Sequence, residues 1–85
     1  MPKAPSSIHD PRYVEVISRL RAARIRAGTP QSELARSIGR EQAFISKVER
    51  CERRLDILEV MLLCRALAVP LAALVPTEFE DVLHA

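Results

Sequence analysis

The sequence is poor in residues on which several classes of protein depend. It has no tryptophan, one tyrosine and two phenylalanines, and aromatic residues make up 4% of its 85 positions. Because β-strands are enriched in aromatic side chains, an all-helical fold is favoured. No apolar run reaches the roughly 18 residues of a membrane span, and the opening "MPKAPSS" lacks the apolar segment of a secretory signal. We therefore expect a cytoplasmic protein.

Cysteine and histidine are also scarce, with two residues of each. Cys51 and Cys64 lack C-x-x-C spacing and have no histidines at metal-ligand distance, so neither a disulfide framework nor a zinc site is indicated. No nucleophile, base and orienting group form a common pattern. We expect free thiols, no metal, no cofactor and no enzymatic activity.

The charge that is present is unevenly distributed. Between residues 19 and 54 there are ten lysines and arginines and four glutamates, a local charge of +6, whereas the whole chain carries +2. Residues 76–85 contain three acidic residues and no lysine or arginine. A basic middle and an acidic end predict a polyanion partner for one face of the molecule.

Hydrophobic periodicity and capping signals divide the chain into helices. Asp10–Pro11 and Thr29–Pro30 are cap-then-proline pairs that open helices, and Asp56 with Glu59 has the pattern of a capping box. The predicted helices span residues 11–27, 30–38, 42–49, 57–67 and 71–75, with a final turn or two in 77–85. At this length we expect one domain at 10–75, a flexible tail at 1–9 and a C-terminal segment at 76–85.

The second and third predicted helices fit a helix-turn-helix. This motif needs a small residue where the two helices come close, and a tight turn between them. Ala35 and Gly39 stand at those two places. Four apolar residues are expected to hold the crossing angle from the inside: Leu34, Ile38, Ile45 and Val48.

The outer face of the third helix carries side chains that are able to read DNA. With Ile45 pointing inward, helical periodicity turns Ala43, Ser46, Lys47 and Arg50 outward, with Gln42 on the flank. Glutamine can pair with adenine, lysine or arginine with guanine, and alanine leaves room for the thymine methyl. The row therefore has suitable chemistry for base edges in the major groove.

Three stretches, "LRAARIRAGTPQSELARSIG", "FISKVER" and "LLCRALAVPLAALV", together resemble the phage-repressor, Cro-like helix-turn-helix family, also called the xenobiotic-response-element (XRE) family. The resemblance covers residues 20–75. It implies a bacterial or phage protein with a five-helix domain that binds double-stranded operator DNA as a homodimer, usually to repress transcription. The family also includes antitoxins, which bind a toxin protein and their own promoter, and this is the first alternative function. A protein-interaction module that has lost DNA binding is the second alternative.

The resemblance assigns roles to individual positions. It implies base reading by Gln42, Ala43, Ser46 and Lys47. It implies phosphate-backbone or edge contacts by Gln31, Arg40, Glu41, Arg50 and Arg53. Arg24 and Glu49 match a family pair that ties the first helix to the third, so we expect a structural salt bridge there.

The fifth helix and the C-terminal segment are expected to form the dimer axis. The interface residues would be Leu71, Leu74, Val75, Phe79, Val82 and Leu83. The last three either cover the domain's own core or pack against a second subunit.

The chain departs from the family pattern in its loops. Arg40 replaces an apolar residue after the turn glycine, and Glu41 replaces a better capping residue. The Glu41 carboxylate either accepts a hydrogen bond from cytosine or repels phosphate. Cys51 and Ala68 stand where the family has glycines. At Cys51 that glycine is left-handed, and any other residue there costs about 1 kcal/mol. These departures concern loop geometry and leave the predicted fold unchanged.

Overall fold

The computed structural model describes residues 7–84, and within this range it contains helices and no strand. The four α-helices are α1 (Pro11–Arg26), α2 (Gln31–Ser37), α3 (Gln42–Glu49) and α4 (Ile57–Leu67). Short 3₁₀-helices span Ser7–His9, Leu71–Leu74 and Thr77–His84. The all-α prediction is confirmed, and the fifth predicted helix is the 3₁₀-helix Leu71–Leu74. No helix in the described range is long and apolar enough to cross a membrane.

The beginnings of α1 and α4 have the predicted caps. The Asp10 carboxylate accepts a hydrogen bond from the Arg12 backbone N–H at 2.8 Å, and Pro11 occupies the first helical position. Asp56 accepts from the Glu59 N–H at 2.7 Å, while Glu59 accepts from the Asp56 N–H at 3.0 Å. This reciprocal pair is a complete capping box. Of the expected tail, residues 1–6 lie outside the described residues, and Ser7–His9 form a 3₁₀ turn before α1.

The beginning of α2 differs from its prediction. The capping position is occupied by Pro30, in an extended conformation, and no side chain caps the helix. The predicted Thr29 cap is therefore wrong, because Thr29 lies one residue too early. Its carbonyl accepts a hydrogen bond from Arg24 at 3.0 Å instead. Packing of Leu34 and Ala35 in the core holds this short helix in place.

The core lies where the four α-helices meet, and Leu74 closes one end of it. It consists of Ile17, Leu20, Ala23, Leu34, Ala35, Ile45, Val48, Leu55, Leu63, Cys64, Leu67 and Leu74. Ile38 is half-buried and packs against this cluster. Each large aliphatic side chain that becomes fully buried contributes roughly 1.5–3 kcal/mol. Since Ile45 and Val48 belong to the core, they fix the rotation of α3 about its axis.

Positive φ angles occur at the end of each α-helix or just after it. They are +69° at Gly28, +73° at Gly39, +57° at Cys51 and +56° at Ala68. The departures at Cys51 and Ala68 therefore leave the left-handed geometry unchanged. A Cβ added at Gly39 would have no atom within 4 Å. Gly39 therefore serves the tight turn, as predicted, through its backbone conformation, and the close approach of the two helices is made at fully buried Ala35.

Candidate nucleic-acid interface

The outer face of α3 presents the predicted row of side chains to solvent. Gln42, Ala43 and Lys47 are exposed, and Ser46 is half-buried. The Ser46 hydroxyl accepts a hydrogen bond from Arg50, which joins the row to its flank. These side chains face outward because Ile45 and Val48, on the opposite side of α3, are buried in the core. The row is accessible to a large ligand.

A buried carboxylate on α3 organises the beginning of this row. Glu49 accepts hydrogen bonds from Arg24 at 2.6 and 2.9 Å, and from the Gln31 amide at 2.9 Å. Gln31 in turn accepts from the Gln42 amide at 3.4 Å. The hydrogen bond to Glu49 raises the pKa of Arg24 above its ordinary value. Arg24 thus ties α1 to α3, and the first residue of the outer row is linked to the same carboxylate.

The other flank of α3 is formed by the loop that follows it. Arg50 donates hydrogen bonds to Glu52 at 2.8 and 3.2 Å, and both side chains are exposed. The hydrogen bond from Arg50 lowers the pKa of the Glu52 carboxyl. Glu41, at the beginning of α3, is exposed and makes no capping hydrogen bond. Glu41 and Arg50, both predicted to make backbone or edge contacts, therefore border the outer row at the two ends of α3.

A second buried carboxylate binds the remaining two predicted contact residues. Glu59 accepts hydrogen bonds from Arg53 at 2.7 Å and from Arg40 at 3.1 Å. The guanidinium carbons of both arginines lie over the ring of Phe44, at 4.6 Å for Arg40 and 4.7 Å for Arg53. The sequence indicates Glu59 only as a helix cap, because periodicity does not show which side chains from distant loops converge on it.

The residues predicted to form a dimer interface occupy different environments. Leu74 is 2% exposed and lies in the domain's own core, so its assignment to an interface is wrong. Leu71, Val82 and Leu83 are exposed. Phe79 is half-buried, with the guanidinium carbon of Arg12 over its ring at 5.6 Å, and Val75 is half-buried as well.

An apolar surface on α4 was missed by the sequence analysis. Ile57 is 66% exposed, and Leu58 and Met61 are also exposed. Ile57 borders a groove of about 340 Å³ whose other walls come from α1 and from the end of the domain. The groove is lined by Tyr13, Val16, Leu55, Asp56, Ile57, Val60, Leu71, Leu74 and Val75. Of the apolar side chains of α4, only those in its second half, including Leu63 and Leu67, are buried in the core.

Comparisons with known proteins agree with this geometry. Residues 20–74 match the family model described as helix-turn-helix. An XRE-family like protein from Pseudomonas syringae pv. tomato str. DC3000 has a similar structure, with a TM-score of 0.73 and 46% identity over 80% of this chain and 83% of that chain. No curated protein matches.

Two further solved structures are similar. One is a hypothetical transcription factor, NHTF, from Neisseria, with a TM-score of 0.69 and 26% identity over 100% of this chain and 97% of that chain. The other is the restriction-modification controller protein C.AhdI from Aeromonas hydrophila, with a TM-score of 0.67 and 29% identity over 73% of this chain and 94% of that chain. The chain belongs to the XRE-type helix-turn-helix family, a family of DNA-binding transcriptional regulators and not of enzymes.

Proposed function

We propose that this protein is a repressor that binds an inverted-repeat operator as a homodimer, with α3 in the major groove. The observation that carries the proposal is the accessible row Gln42, Ala43, Ser46 and Lys47, held outward by Ile45 and Val48. Gln42 would read adenine, and Lys47 would read guanine. Binding at a promoter excludes other proteins from that DNA, so repression is its simplest consequence.

The residues around this row are suited to contacts with the DNA backbone. Gln31 donates one amide N–H to Glu49, which leaves the second N–H for a phosphate oxygen. Arg40, Arg50 and Arg53 place positive charge at both ends of α3. Backbone contacts of this kind set the orientation of the protein, while the outer row supplies sequence preference.

The exposed apolar residues support a homodimer. Leu71, Val82 and Leu83 remain in the proposed interface, together with half-buried Val75 and Phe79. Ile57, Leu58 and Met61 of α4 extend it. A second copy that covers this surface would bury side chains that now face water. In such a dimer the two α3 helices would lie about 34 Å apart, one turn of DNA, so that both enter the major groove on one side of the duplex.

Selection of bound sites from random double-stranded DNA tests specificity, symmetry and spacing together. We expect an inverted repeat whose half-sites are centred about 10 base pairs apart. Selection of unrelated sequences, or of a single asymmetric half-site, would contradict the proposed dimer on operator DNA.

Lys47→Ala tests the assignment of base reading. Loss of the amine should remove about 1–3 kcal/mol of discrimination at one base pair, so that the operator and its single-base variants bind more equally. The measurement is the dissociation constant for the operator, for each variant site and for random DNA. Arg65→Ala, an exposed arginine on α4, provides a charge-matched control that should leave this preference unchanged. Equal weakening of operator and random DNA by Lys47→Ala would refute the assignment.

An antitoxin is the second candidate, and the apolar groove beside α4 is the observation that favours it. Such a groove suits a protein partner as well as a second subunit. Expression together with the neighbouring gene, followed by mass measurement of the purified complex, separates the two functions. A stable complex with a second small protein would favour the antitoxin, whereas a homodimer alone would favour the repressor.

A further inference from the structure

Four side chains form a cluster that connects both ends of α3 to the beginning of α4. Arg40 precedes α3, Phe44 lies in its first turn, and Arg53 lies in the loop after it. Glu59 lies in the first turn of α4. The cluster borders the base-reading row without being part of it, so its role is separate from base recognition.

The Glu59 carboxylate is the fixed point of the cluster. Its side chain is 8% exposed. One oxygen accepts hydrogen bonds from Arg53 at 2.7 Å and from the Asp56 backbone N–H at 3.0 Å. The other accepts from Arg40 at 3.1 Å. Because a buried carboxylate is costly without its partners, these hydrogen bonds hold both guanidinium groups in one arrangement.

Phe44 restricts the same two guanidinium groups from another direction. Both lie over its ring, with distances to the centroid of 4.6 Å for Arg40 and 4.7 Å for Arg53. Stacking on an aromatic face favours a cation and fixes the plane of the guanidinium group. Contact with both Phe44 and Glu59 therefore defines the position and the orientation of each arginine.

Both arginines keep N–H groups that these contacts leave unused. A guanidinium group has five N–H donors. Arg40 donates through Nη2 to Glu59, while Arg53 uses Nη1 for Glu59 and for the Arg54 carbonyl. Their side chains are 46% and 38% exposed, so the remaining donors can reach a ligand. A planar group with adjacent N–H donors matches the oxygen atoms of a phosphate.

We propose that Glu59, assisted by Phe44, is a positioning residue for DNA binding that holds Arg40 and Arg53 so that their outward N–H groups bind backbone phosphates. The inference rests on the proposed DNA-binding function. The proposed role of Glu59 is to strengthen DNA binding, whereas the charge of an acidic residue near DNA repels phosphate and weakens binding. The charge effect alone predicts that removal of Glu59 strengthens binding, whereas the positioning role predicts that it weakens binding.

Glu59→Gln is the direct test, with the dissociation constant for the selected operator measured over a range of salt concentrations. We expect binding at least about tenfold weaker, since each charge-assisted contact is worth about a factor of ten or more. The slope of log affinity against log salt should decrease by up to about 1.8, which corresponds to two phosphate contacts. Glu33→Gln, at an exposed position on α2, removes the same charge and should bind as tightly as the original protein or more tightly.

Phe44→Leu distinguishes positioning from a general loss of structure. This change keeps every charge and an apolar side chain, but it removes the ring on which both guanidinium groups lie. We expect a smaller salt slope here as well. Partial unfolding lowers the apparent affinity by nearly the same factor at each salt concentration, so it would leave the slope unchanged. If Glu59→Gln does not fold, Phe44→Leu decides the matter.

The possible outcomes separate this inference from the function on which it rests. If the original protein binds no DNA even at low salt, the proposed function and the inference both fail. The inference fails, and the proposed function stands, if the original protein binds DNA but every folded variant of Glu59→Gln and Phe44→Leu keeps its salt slope. The same conclusion follows if Glu59→Gln binds DNA more tightly than the original protein.

Discussion

Ala68 follows the last residue of α4 with a left-handed backbone, at φ +56°, which is a strained conformation for a residue with a Cβ atom. Ala68→Gly should stabilise the domain by about 1 kcal/mol, because glycine adopts this conformation without a Cβ clash. In a domain of this size the melting temperature should rise by roughly 4–8 °C, as measured by thermal unfolding. At Cys51 the side chain packs against the core, so glycine there would also remove packing.

Ala66→Gly is the matched control for this prediction. Ala66 is exposed and lies within α4, two residues before Ala68. There the same substitution should destabilise the protein by about 1 kcal/mol, since glycine is a poor helix former. If both substitutions lower the melting temperature, left-handed strain at Ala68 is refuted.

Arg24 is the residue whose loss should damage the structure most among the charged side chains of α1. Its side chain is 12% exposed and that of Glu49 is 5% exposed. Arg24→Ala should destabilise the domain by about 3 kcal/mol, because it leaves a buried carboxylate without its main partner. Urea unfolding measures the change. Arg19→Ala, which breaks an exposed pair with Glu15 four residues earlier, should cost no more than about 0.5 kcal/mol. Similar losses in the two variants would contradict this account.

At the scale of the element, α3 depends on its surroundings. It has eight residues, whereas an isolated helix is marginal in water below roughly 12–15 residues. Two core residues anchor it from inside, and two buried carboxylates connect it to its neighbours. Glu49 connects α3 to α1 through Arg24, and Glu59 connects the loops at both ends of α3 to α4. The orientation of α3 is therefore a property of the assembled domain.

Two carboxylates, Glu59 on α4 and Asp10 before α1, make the stability of the domain sensitive to acid. Burial raises the pKa of the Glu59 carboxyl, but hydrogen bonds from Arg53 and the Asp56 backbone, with the nearby arginine charges, outweigh this and leave it below its ordinary value. At Asp10 the hydrogen bonds from Arg12 lower the pKa to about 2. A pKa lower in the folded than in the unfolded state gives stability that is present above the unfolded value, about 4, and is lost as the pH falls through the folded value.

We therefore expect the urea concentration at the unfolding midpoint to decrease as the pH is lowered from about 6 to about 3. Glu59→Gln should be less stable at pH 6 and should lose less of its remaining stability on acidification, because one of the responsible carboxylates is gone. Asp10→Asn, at the beginning of α1, tests the second carboxylate separately. If Glu59→Gln and the original protein lose equal stability on acidification, Glu59 does not contribute to the acid sensitivity.

At the scale of the whole molecule, basic residues at the ends of α3 lie next to exposed apolar residues of α4. Arg53 and Ile57 line the same pocket, and Leu58, Met61 and Leu71 also expose apolar side chains. A dimer formed through α4 therefore requires the second subunit to leave Arg53 accessible to DNA.

Met61→Lys tests the position of the proposed dimer interface. Met61 is exposed, so the change should alter the stability of a single domain by less than about 0.5 kcal/mol. A buried lysine in the interface would instead favour the monomer, which sedimentation velocity detects as a lower mass at equal concentration. Ile25→Lys introduces the same charge at an exposed residue of α1 and should leave the mass unchanged. A dimer of unaltered strength with Met61→Lys would exclude α4 from the interface.

Much of the fold was predictable because its signals are local. The bounds of α3 and α4 and the caps at Asp10 and Asp56 follow from periodicity and from residues within one helical turn. The prediction of Thr29 as the cap of α2 was wrong because both Thr29 and Pro30 were able to occupy the position before the helix. The assignment of Leu74 to a dimer interface was wrong because a short apolar run does not reveal which of its residues faces the core.

The sequence by itself determined the helical fold, the helix-turn-helix and the residues on the outer face of α3, since each depends on spacing along one or two helices. Only the tertiary structure decided that Arg40 and Arg53 meet at Glu59, that Gln42 connects through Gln31 to Glu49, and that half of α4 remains exposed. These contacts join residues from separate elements. Their partners depend on how the helices pack, and no period in the sequence records that packing.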